Sequence, residues 1–250
     1  KGLGAVLTEI RRVQKYGFTA TELQRVKVQM LRNMEQAFRE RDKIYSSNFA
    51  DEYIRNFLEN ESAPGIEFEN ELYKKYIPGM TLAEVNALSR QLATDRNRVV
   101  LVSAPQKSEL KIPTEVELLS ILNNVDNQSI EAYVDQVADR DLIEILPTPG
   151  RIVRESRIDS LDVTEMLLSN GVKVVIKPTD FKNDEILLSA YSPGGTSLVP
   201  DSNFIAAISS IPIISEGGLG EFNNIALTKK LAGKVVTVRP GMSELTENFR

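Results

Sequence analysis

The sequence predicts an α+β protein, and three observations support this fold class. Apolar residues recur at helical spacing through the first hundred residues. The dipeptide Asn170-Gly171 lies between two short apolar runs, which is typical of a β-hairpin. Further strand-like and helix-like segments then follow one another up to the end of the chain. A helical layer followed by strands and shorter helices is the element order of an α+β domain.

The helices of the first hundred residues have marked ends. A first helix carries Leu3, Ile10 and Val13 on one face, and Gly17 can close it in a left-handed cap. Thr19 with Glu22 matches the capping box that begins a helix, and Thr81 with Glu84 repeats it. Other helices are expected at 49–58, 67–77, 114–122 and 129–137. A short β-branched run at 99–102 predicts a buried strand.

The rest of the chain is expected to contain a linker and a second folded region. Residues 105–160 are rich in proline and charge, which is typical of a linker. Strands at 164–168 and 172–176 flank Asn170-Gly171, a pair suited to a type I′ turn. A third strand at 186–191, a helix at 202–215 interrupted by Pro212, a short helix at 224–232 and a strand at 235–238 follow.

The composition excludes several kinds of chemistry. The 250 residues contain no histidine and no cysteine. The chain alone therefore has no imidazole base, no thiolate nucleophile and no imidazole or thiolate metal ligand. A net charge of −5 argues against a nucleic-acid partner, because a basic face is needed to neutralise phosphates. No apolar run approaches the ~20 residues of a membrane-spanning helix.

Two motifs have a chemical and a structural interpretation, and the structural one is favoured for each. Gly217–Gly220 lacks the third glycine of a dinucleotide-binding motif and follows a helix, so a turn is expected. Ser108 and Lys111 match Ser-x-x-Lys, in which lysine can deprotonate serine, but they lie in the predicted linker without the supporting motifs. A chance match is the favoured explanation.

Charged and sulfur-containing groups are also assigned structural roles. Asp51-Glu52 and Asp184-Glu185 lack calcium-loop spacing and are expected to be exposed carboxylates. Arg39–Lys43 alternates in sign, which predicts a solvated helix face. Met30 and Met34 at helical spacing indicate core packing. The residue patterns therefore predict no catalytic, cofactor-binding or metal-binding residues in this chain.

The two ends of the sequence suggest a piece of a longer polypeptide. The chain opens at Lys1 without methionine, already within a helical pattern, and stops at Arg250 just after a hydrophobic stretch. We therefore expect an internal fragment. A stand-alone helical binding module is a weaker interpretation, since it requires Lys1 to be a natural start.

Six segments together carry a family resemblance: Phe18–Lys27, Tyr76–Gln91, Arg98–Pro105, Leu168–Phe181, Asp184–Gly195 and Gly218–Gly233. The amino-acid sequences of these segments and their order resemble those of the pitrilysin-like zinc metallopeptidases, the inverzincin family. The resemblance covers nearly the whole chain and rests on a pattern of segments. Members of this family have two homologous halves, each of two α+β domains, which close around a substrate chamber.

The resemblance implies a domain map and the position of the zinc site. Residues 1–104 would finish the second domain of the N-terminal half, 105–160 would link the halves, and 161–250 would begin the third domain. The family binds zinc through His-x-x-Glu-His and a distal Glu, which are implied to lie upstream of Lys1. In the corresponding helix here, Ser209 and Ile213 stand near the ligand positions, and neither is a credible zinc ligand.

We therefore expect a non-catalytic chamber-wall and linker portion of a zinc-dependent endopeptidase that cleaves peptides or unfolded polypeptides. The alternative is a non-enzymatic scaffold or peptide-binding subunit built on the same fold. The expected partners are the other half of the same polypeptide and, in the longer protein, a peptide substrate. The resemblance also suggests a periplasmic or secreted location.

Overall fold

The computed structural model describes residues 2–91, 99–105, 107, 109–125, 127–135 and 141–250. Within these residues there are eight α-helices and two three-stranded sheets, so the predicted mixture of helix and sheet is confirmed. The chain divides into two compact units. The first combines Lys1–Met30 with Lys74–Gln136, and the second combines Leu31–Tyr73 with Val137–Arg250.

The first unit is built from helices. Helix α1 spans Gly2–Tyr16 and packs against helix α6, Glu115–Val125. Helix α5 spans Leu82–Ser89. Gly17, directly after α1, has φ 74°, which confirms the predicted left-handed end of this helix. The described apolar core of the unit consists of Ile77, Val125 and Ile130.

Capping boxes begin three helices. Helix α2 spans Ala20–Arg39, and its first residues belong to the first unit. The backbone N–H of Thr19 donates to the Glu22 carboxylate at 2.8 Å, and the Glu22 N–H donates back to the Thr19 hydroxyl at 3.2 Å. The same pair of bonds recurs at Thr81–Glu84 before α5 and at Thr114–Glu117 before α6. Each box satisfies backbone donors that a helix start leaves without intrahelical partners.

The second unit carries the remaining helices and both sheets. Its helices are α3 at Ser46–Glu59, α4 at Ile66–Tyr76, α7 at Phe204–Gly217 and α8 at Asn224–Lys230, with the last residues of α4 belonging to the first unit. Pro212 lies inside α7. The described part of this unit has one buried large apolar side chain, Phe222, which is 3% exposed.

The first sheet is an antiparallel meander in the order β1-β2-β3. Its strands are β1 at Ile152–Ile158, β2 at Val163–Leu168 and β3 at Lys173–Ile176. The hairpin between β2 and β3 is confirmed, but the predicted type I′ turn is wrong. Type I′ needs positive φ at both central residues, whereas here Gly171 has φ 85° and Asn170 is not in the left-handed region. The Gly171 N–H donates to the Leu168 carbonyl at 2.9 Å.

The second sheet has the order β4-β6-β5, with β6 in the centre. The strands are β4 at Ala190–Pro193, β5 at Pro240–Met242 and β6 at Thr246–Phe249, and both outer strands run antiparallel to β6. The predicted strands at 186–191 and 235–238 are therefore displaced. Strand β4 begins only at Ala190, and residues 235–238 precede β5 without forming a strand.

The predicted strand at 99–102 is wrong. Val99 is 92% and Leu101 89% exposed, and no strand is found among the described residues of this stretch. A β-branched run cannot form a strand by local propensity alone, because each strand takes its hydrogen bonds from a neighbour. The sequence also predicts a turn before this run, at 95–97, and these residues lie outside the described ones.

The predicted helix at 129–137 is also wrong where the structure describes it, at 129–135. The carbonyl of Ile130 accepts a hydrogen bond from the Tyr16 hydroxyl at 2.7 Å, and that of Glu131 accepts one from Arg12. Asp135 forms an ion pair with Arg25 at 2.6 Å. These partners on α1 and α2 hold the segment in place and occupy carbonyls that a helix would use.

The region predicted as an irregular linker contains β1. The sequence of β1, IVRESRI, lacks the alternation of apolar and polar residues by which a half-buried strand is recognised. All seven of its residues are exposed in the structure. It forms because β2 offers an antiparallel partner from Ile152 to Ile158, with one irregularity in the register between Ile152 and Arg154. No helix among the described residues is both long enough and apolar enough to cross a bilayer.

The glycine cluster after α7 forms a tight turn. Leu219 and Phe222 exchange backbone hydrogen bonds of 2.8 and 2.9 Å. Gly218 has φ 91°, and a Cβ atom at this position would lie 2.0 Å from the Phe222 carbonyl oxygen. Both its backbone conformation and this close approach therefore require glycine at position 218.

Substituting this glycine should destabilise the second unit. We expect Gly218→Ala to lower the free energy of unfolding by about 2–4 kcal/mol, because the new methyl group meets backbone and the left-handed conformation is strained. Gly217→Ala is the matched control, since it has nothing within 4 Å of its added Cβ and ends a helix. Its effect should stay within about 1 kcal/mol. Urea unfolding followed by circular dichroism measures both, and equal effects would contradict the assignment.

Candidate functional site

The positions implied to correspond to zinc ligands do not form a metal site. Ser209 and Ile213 lie one turn apart on α7, and Ile213 is 68% exposed. A hydrocarbon side chain has no lone pair to offer, and a single neutral hydroxyl is not a usual zinc ligand. In the part of the chain that the structure describes, no three His, Cys, Asp or Glu side chains are grouped to hold a metal ion. These residues do not fit the family's zinc.

The Ser-x-x-Lys match receives no structural support from its lysine. Ser108 lies outside the described residues. The Lys111 ammonium is 84% exposed and lies 3.2 Å from the Glu117 carboxylate, with which it forms an ion pair. The observed contact of Lys111 is a surface ion pair, which gives no support to a catalytic role.

A densely hydrogen-bonded polar group of the second unit surrounds Glu40, and we call it the Glu40 clamp. It consists of Arg32 and Arg39–Lys43 on one side and of Lys182–Asp184 on the other. Arg32 and Arg39 belong to α2, and the residues after Arg39 continue from its C-terminal end. About 140 residues of sequence separate the two sides.

Glu40 is the centre of the clamp. Its side chain is buried, and its Oε1 atom accepts the backbone N–H of Asn183 at 2.7 Å and the backbone N–H of Asp184. The other oxygen, Oε2, has no hydrogen-bond partner among the described residues, although the Lys182 ammonium lies 3.9 Å away as an ion-pair partner. A buried carboxylate is costly unless it is bonded, so these two N–H groups and this cation are what stabilise it.

Lys182 and Asn183 form hydrogen bonds with residues at and just after the C-terminal end of α2. The Asn183 side-chain amide donates to the Arg39 carbonyl at 2.8 Å and to the Asp42 carboxylate at 2.7 Å. The Lys182 ammonium donates to the Lys43 carbonyl at 3.3 Å. Carbonyls at a helix end lack intrahelical partners, and the helix dipole attracts cations there. Residues 182 and 183 therefore cap the C-terminal end of α2.

Asp184 completes the clamp with ion pairs. Its carboxylate lies 2.7 Å from the Arg32 guanidinium and 3.9 Å from that of Arg39. The hydrogen bond from Arg32 lowers the pKa of Asp184 below its ordinary value, and the positive charges of both arginines act in the same direction, against a smaller opposing effect of desolvation. The same pair raises the pKa of Arg32.

Two expectations from the sequence fail at particular residues of this site. The prediction of a solvated face at Arg39–Lys43 holds for the exposed Arg39, Arg41 and Asp42 but not for Glu40, which is 9% exposed. Asp184 was expected to be an exposed carboxylate, but its side chain is 19% exposed and is ion-paired. Neither partner is visible from local sequence, because the contacts span up to 152 residues. The available signal was the position of the alternating charges at the end of a long helix.

The clamp can hold residues 182–184 against the C-terminal end of α2, because its groups bond these two parts of the chain. Three carboxylates (Glu40, Asp42 and Asp184), three cations and one side-chain amide neutralise or bond one another, with Glu40 and Asp184 each facing at least one cation. Arg41 and Asp42 of the clamp also line a cavity of about 530 Å³, whose wall includes Phe49 and Glu52. Arg41 is itself ion-paired with Glu67 at 3.3 Å.

Comparisons with known proteins define the class to which the chain is related. No protein-family model matches it. It is 32% identical over 224 residues to a zinc protease PQQL-like protein of Arabidopsis thaliana, covering 89% of this chain and 23% of that protein. It is 23% identical over 234 residues to the probable zinc protease PqqL of Haemophilus influenzae, covering 92% of this chain and 24% of that protein. The chain thus spans about a quarter of the length of these relatives.

A solved structure, that of FusC, shares the fold of this chain. The ferredoxin protease FusC, determined as a mutant in complex with Arabidopsis ferredoxin, matches 99% of this chain and 28% of its own with a TM-score of 0.50 at 14% identity. The periplasmic protease PqqL from Escherichia coli matches with a TM-score of 0.46 at 19% identity. The resemblance to the pitrilysin-type zinc peptidases is confirmed, and the chain is homologous to a segment of these proteins.

Removing the Glu40 carboxylate should open the clamp locally. We expect Glu40→Ala to speed trypsin cleavage after Lys182 at least about tenfold, because hydrogen bonds to a charged acceptor contribute about 1.5–3 kcal/mol each. Glu40→Gln should have a smaller effect, since its amide oxygen can still accept. Mass spectrometry measures the rate at this bond, with the bond after Lys234 as internal reference.

Glu71→Ala, at an exposed glutamate on α4, is the control variant for this experiment. It should leave cleavage after Lys182 unchanged. If Glu40→Ala has no more effect at this bond than Glu71→Ala, the clamp does not hold the segment.

The ion pairs of Asp184 should stabilise the fold in a defined pH range. Because its pKa is lowered below 3.8 in the folded chain, its contribution is fully present above its unfolded pKa and is lost as the pH falls through the folded pKa. The stability difference between wild type and Asp184→Asn should therefore shrink as the pH falls below about 4. Urea unfolding at a series of pH values measures it, with Glu185→Gln as control. A difference that stays constant down to pH 2 would contradict the assignment.

Proposed function

We propose that this chain is a non-catalytic chamber-wall and linker portion of a zinc-dependent endopeptidase that acts on peptides or unfolded polypeptides. The observation that carries the proposal is the 32% identity to a zinc protease PQQL-like protein across most of a chain that contains no histidine. The family's metal site requires two histidines in one helix. In such a protein the zinc is therefore held by residues outside these 250.

The proposed domain map follows the element order of the chain. Residues 1–104, which carry α1 to α5, finish the second domain of the N-terminal half, and residues 105–160 link the halves. Residues 161–250, which contain the β2–β3 hairpin and the second sheet, begin the third domain. The Glu40 clamp supports a positioning role, because it bonds the end of α2 to the segment that leads into this sheet.

The substrate and location of the longer protein are parts of the same proposal. FusC is a protease whose solved complex contains ferredoxin, which makes a protein substrate reasonable for a relative of the same fold. We propose a peptide or unfolded polypeptide as substrate, bound in a chamber whose wall is formed in part by this chain. The periplasmic or secreted location stays a prediction.

A scaffold or peptide-binding subunit is the second candidate function. It is favoured by the absence of histidine from the whole chain, since a half without ligands is also what a catalytically silent relative would contain. The two candidates differ in one respect, which is whether the full-length protein holds zinc and cleaves polypeptide.

The deciding experiment compares hydrolysis of an unfolded polypeptide by the full-length protein and by this 250-residue chain. We expect cleavage by the full-length protein, at least about tenfold loss with a zinc chelator, recovery on adding zinc, and no cleavage by the chain alone. Absence of chelator-sensitive cleavage in the full-length protein would favour the scaffold.

The wall-and-linker role is tested by Glu40→Ala in the full-length protein. We expect a lower kcat/KM with an unchanged zinc content, because the clamp positions polypeptide and touches no metal. Glu71→Ala serves again as the control. Loss of zinc in Glu40→Ala, or an unchanged kcat/KM, would contradict this role.

A further inference from the structure

The turn between β2 and β3 contains a pair of residues whose chemistry the proposed function does not use. Asn170-Gly171 is the one Asn-Gly pair in the 250 residues. Both residues are exposed, and nothing lies within 4 Å of a Cβ atom added at Gly171. The side-chain amide of Asn170 is thus followed by a backbone nitrogen whose residue has no side chain to shield it.

Asparagine is one of the chemically labile residues of proteins, because the next backbone nitrogen can attack its side-chain amide. Here the Gly171 nitrogen would form a bond to Cγ of Asn170 and lose its proton, and the side-chain nitrogen would leave with that proton as ammonia. The product is a succinimide ring. A water molecule then adds to one of the two ring carbonyls and opens the ring, which leaves either aspartate or isoaspartate.

The structure places a hydrogen-bond donor at the group that would be attacked. The Val172 N–H donates to the Oδ1 atom of Asn170 at 3.2 Å. Negative charge develops on this oxygen when a nucleophile adds to Cγ, and a donor directed at such an atom lowers the barrier. The bond is at the long end of the hydrogen-bond range, so its contribution is modest.

The same turn restrains the nitrogen that would attack. The Gly171 N–H donates to the Leu168 carbonyl at 2.9 Å, and the Leu168 N–H donates to the Val172 carbonyl at 2.9 Å, which closes the loop. The proton that the reaction removes is therefore held in a hydrogen bond of ordinary length, and the nitrogen reaches Cγ only after this bond opens. Because the restraining bond is shorter than the assisting one, restraint is the larger of the two effects.

We propose that Asn170 is a site of spontaneous deamidation, which the closed β2–β3 turn slows and whose rate is set by opening of that turn. The inference does not depend on the proposed function, because all of the reacting atoms lie in one hairpin. Each event replaces a neutral amide by a carboxylate, and the isoaspartate product also lengthens the backbone by one carbon atom. The longer loop no longer matches the hydrogen bond between Gly171 and Leu168, so the modification loosens this end of the sheet.

Peptide mapping by mass spectrometry tests this proposal. The full-length protein is incubated at one mildly alkaline pH and one temperature, either folded in buffer or unfolded in guanidinium chloride. We expect the peptide that contains Asn170 to be deamidated in both samples, at least about fivefold more slowly in the folded one, because the turn must open first. Chromatography should separate an aspartate and an isoaspartate form, since a succinimide opens at either carbonyl, whereas direct hydrolysis of the amide gives aspartate alone.

Two controls accompany this measurement. Asn170→Gln moves the amide one carbon atom further from the Gly171 nitrogen and should abolish the modification of this peptide. Asn248 is the reference within the unfolded protein and should react at least about tenfold more slowly than Asn170, because the side chain of Phe249 hinders the attacking nitrogen. Three outcomes would overturn the proposal: no deamidation at Asn170 in the unfolded protein, aspartate as its sole product, or a rate in the folded protein as high as in the unfolded one.

Discussion

One carboxylate holds together two parts of the chain that are far apart in sequence. Glu40 is buried at the end of α2, where its Oε1 atom accepts two consecutive backbone N–H groups. The surrounding contacts depend on this arrangement, because the position of the Lys182–Asp184 backbone brings Asn183 to the helix-end carbonyls and Asp184 to Arg32. A buried charge with only one satisfied oxygen is tolerated because a cation lies near the other. The clamp thus fixes polypeptide geometry, which suits a structural role.

The features predicted well from sequence are those with local causes. The capping boxes at Thr19 and Thr81 and the left-handed Gly17 involve residues three or four positions apart, so the sequence contains all of the interacting groups. Helix α7 was expected despite Pro212, and Gly218 was expected to form a turn, which its contact with the Phe222 carbonyl explains. In each case the signal and its partner lie within a few residues.

Strands and the clamp could not be predicted in the same way, because their partners are distant. The runs at 99–102, 186–189 and 235–238 have strong β-propensity, yet none of them is a strand. A helix closes its own hydrogen bonds, whereas a strand requires a neighbour that the pattern of its own residues does not reveal. The converse holds for β1, whose exposed residues give no pattern but which pairs with β2. Glu40 escaped prediction for the same reason, since its donors lie more than 140 residues away.

The relatives are named zinc proteases, whereas this chain lacks the histidines that the family's zinc site needs. The two observations agree if, as we propose, the chain is one part of a larger enzyme. The most direct test is the zinc content of the full-length protein and of this chain, each purified and measured by elemental analysis. We expect about one zinc ion for each full-length molecule and none bound by the 250-residue chain. Stoichiometric zinc in the 250-residue chain, or none in the full-length protein, would contradict it.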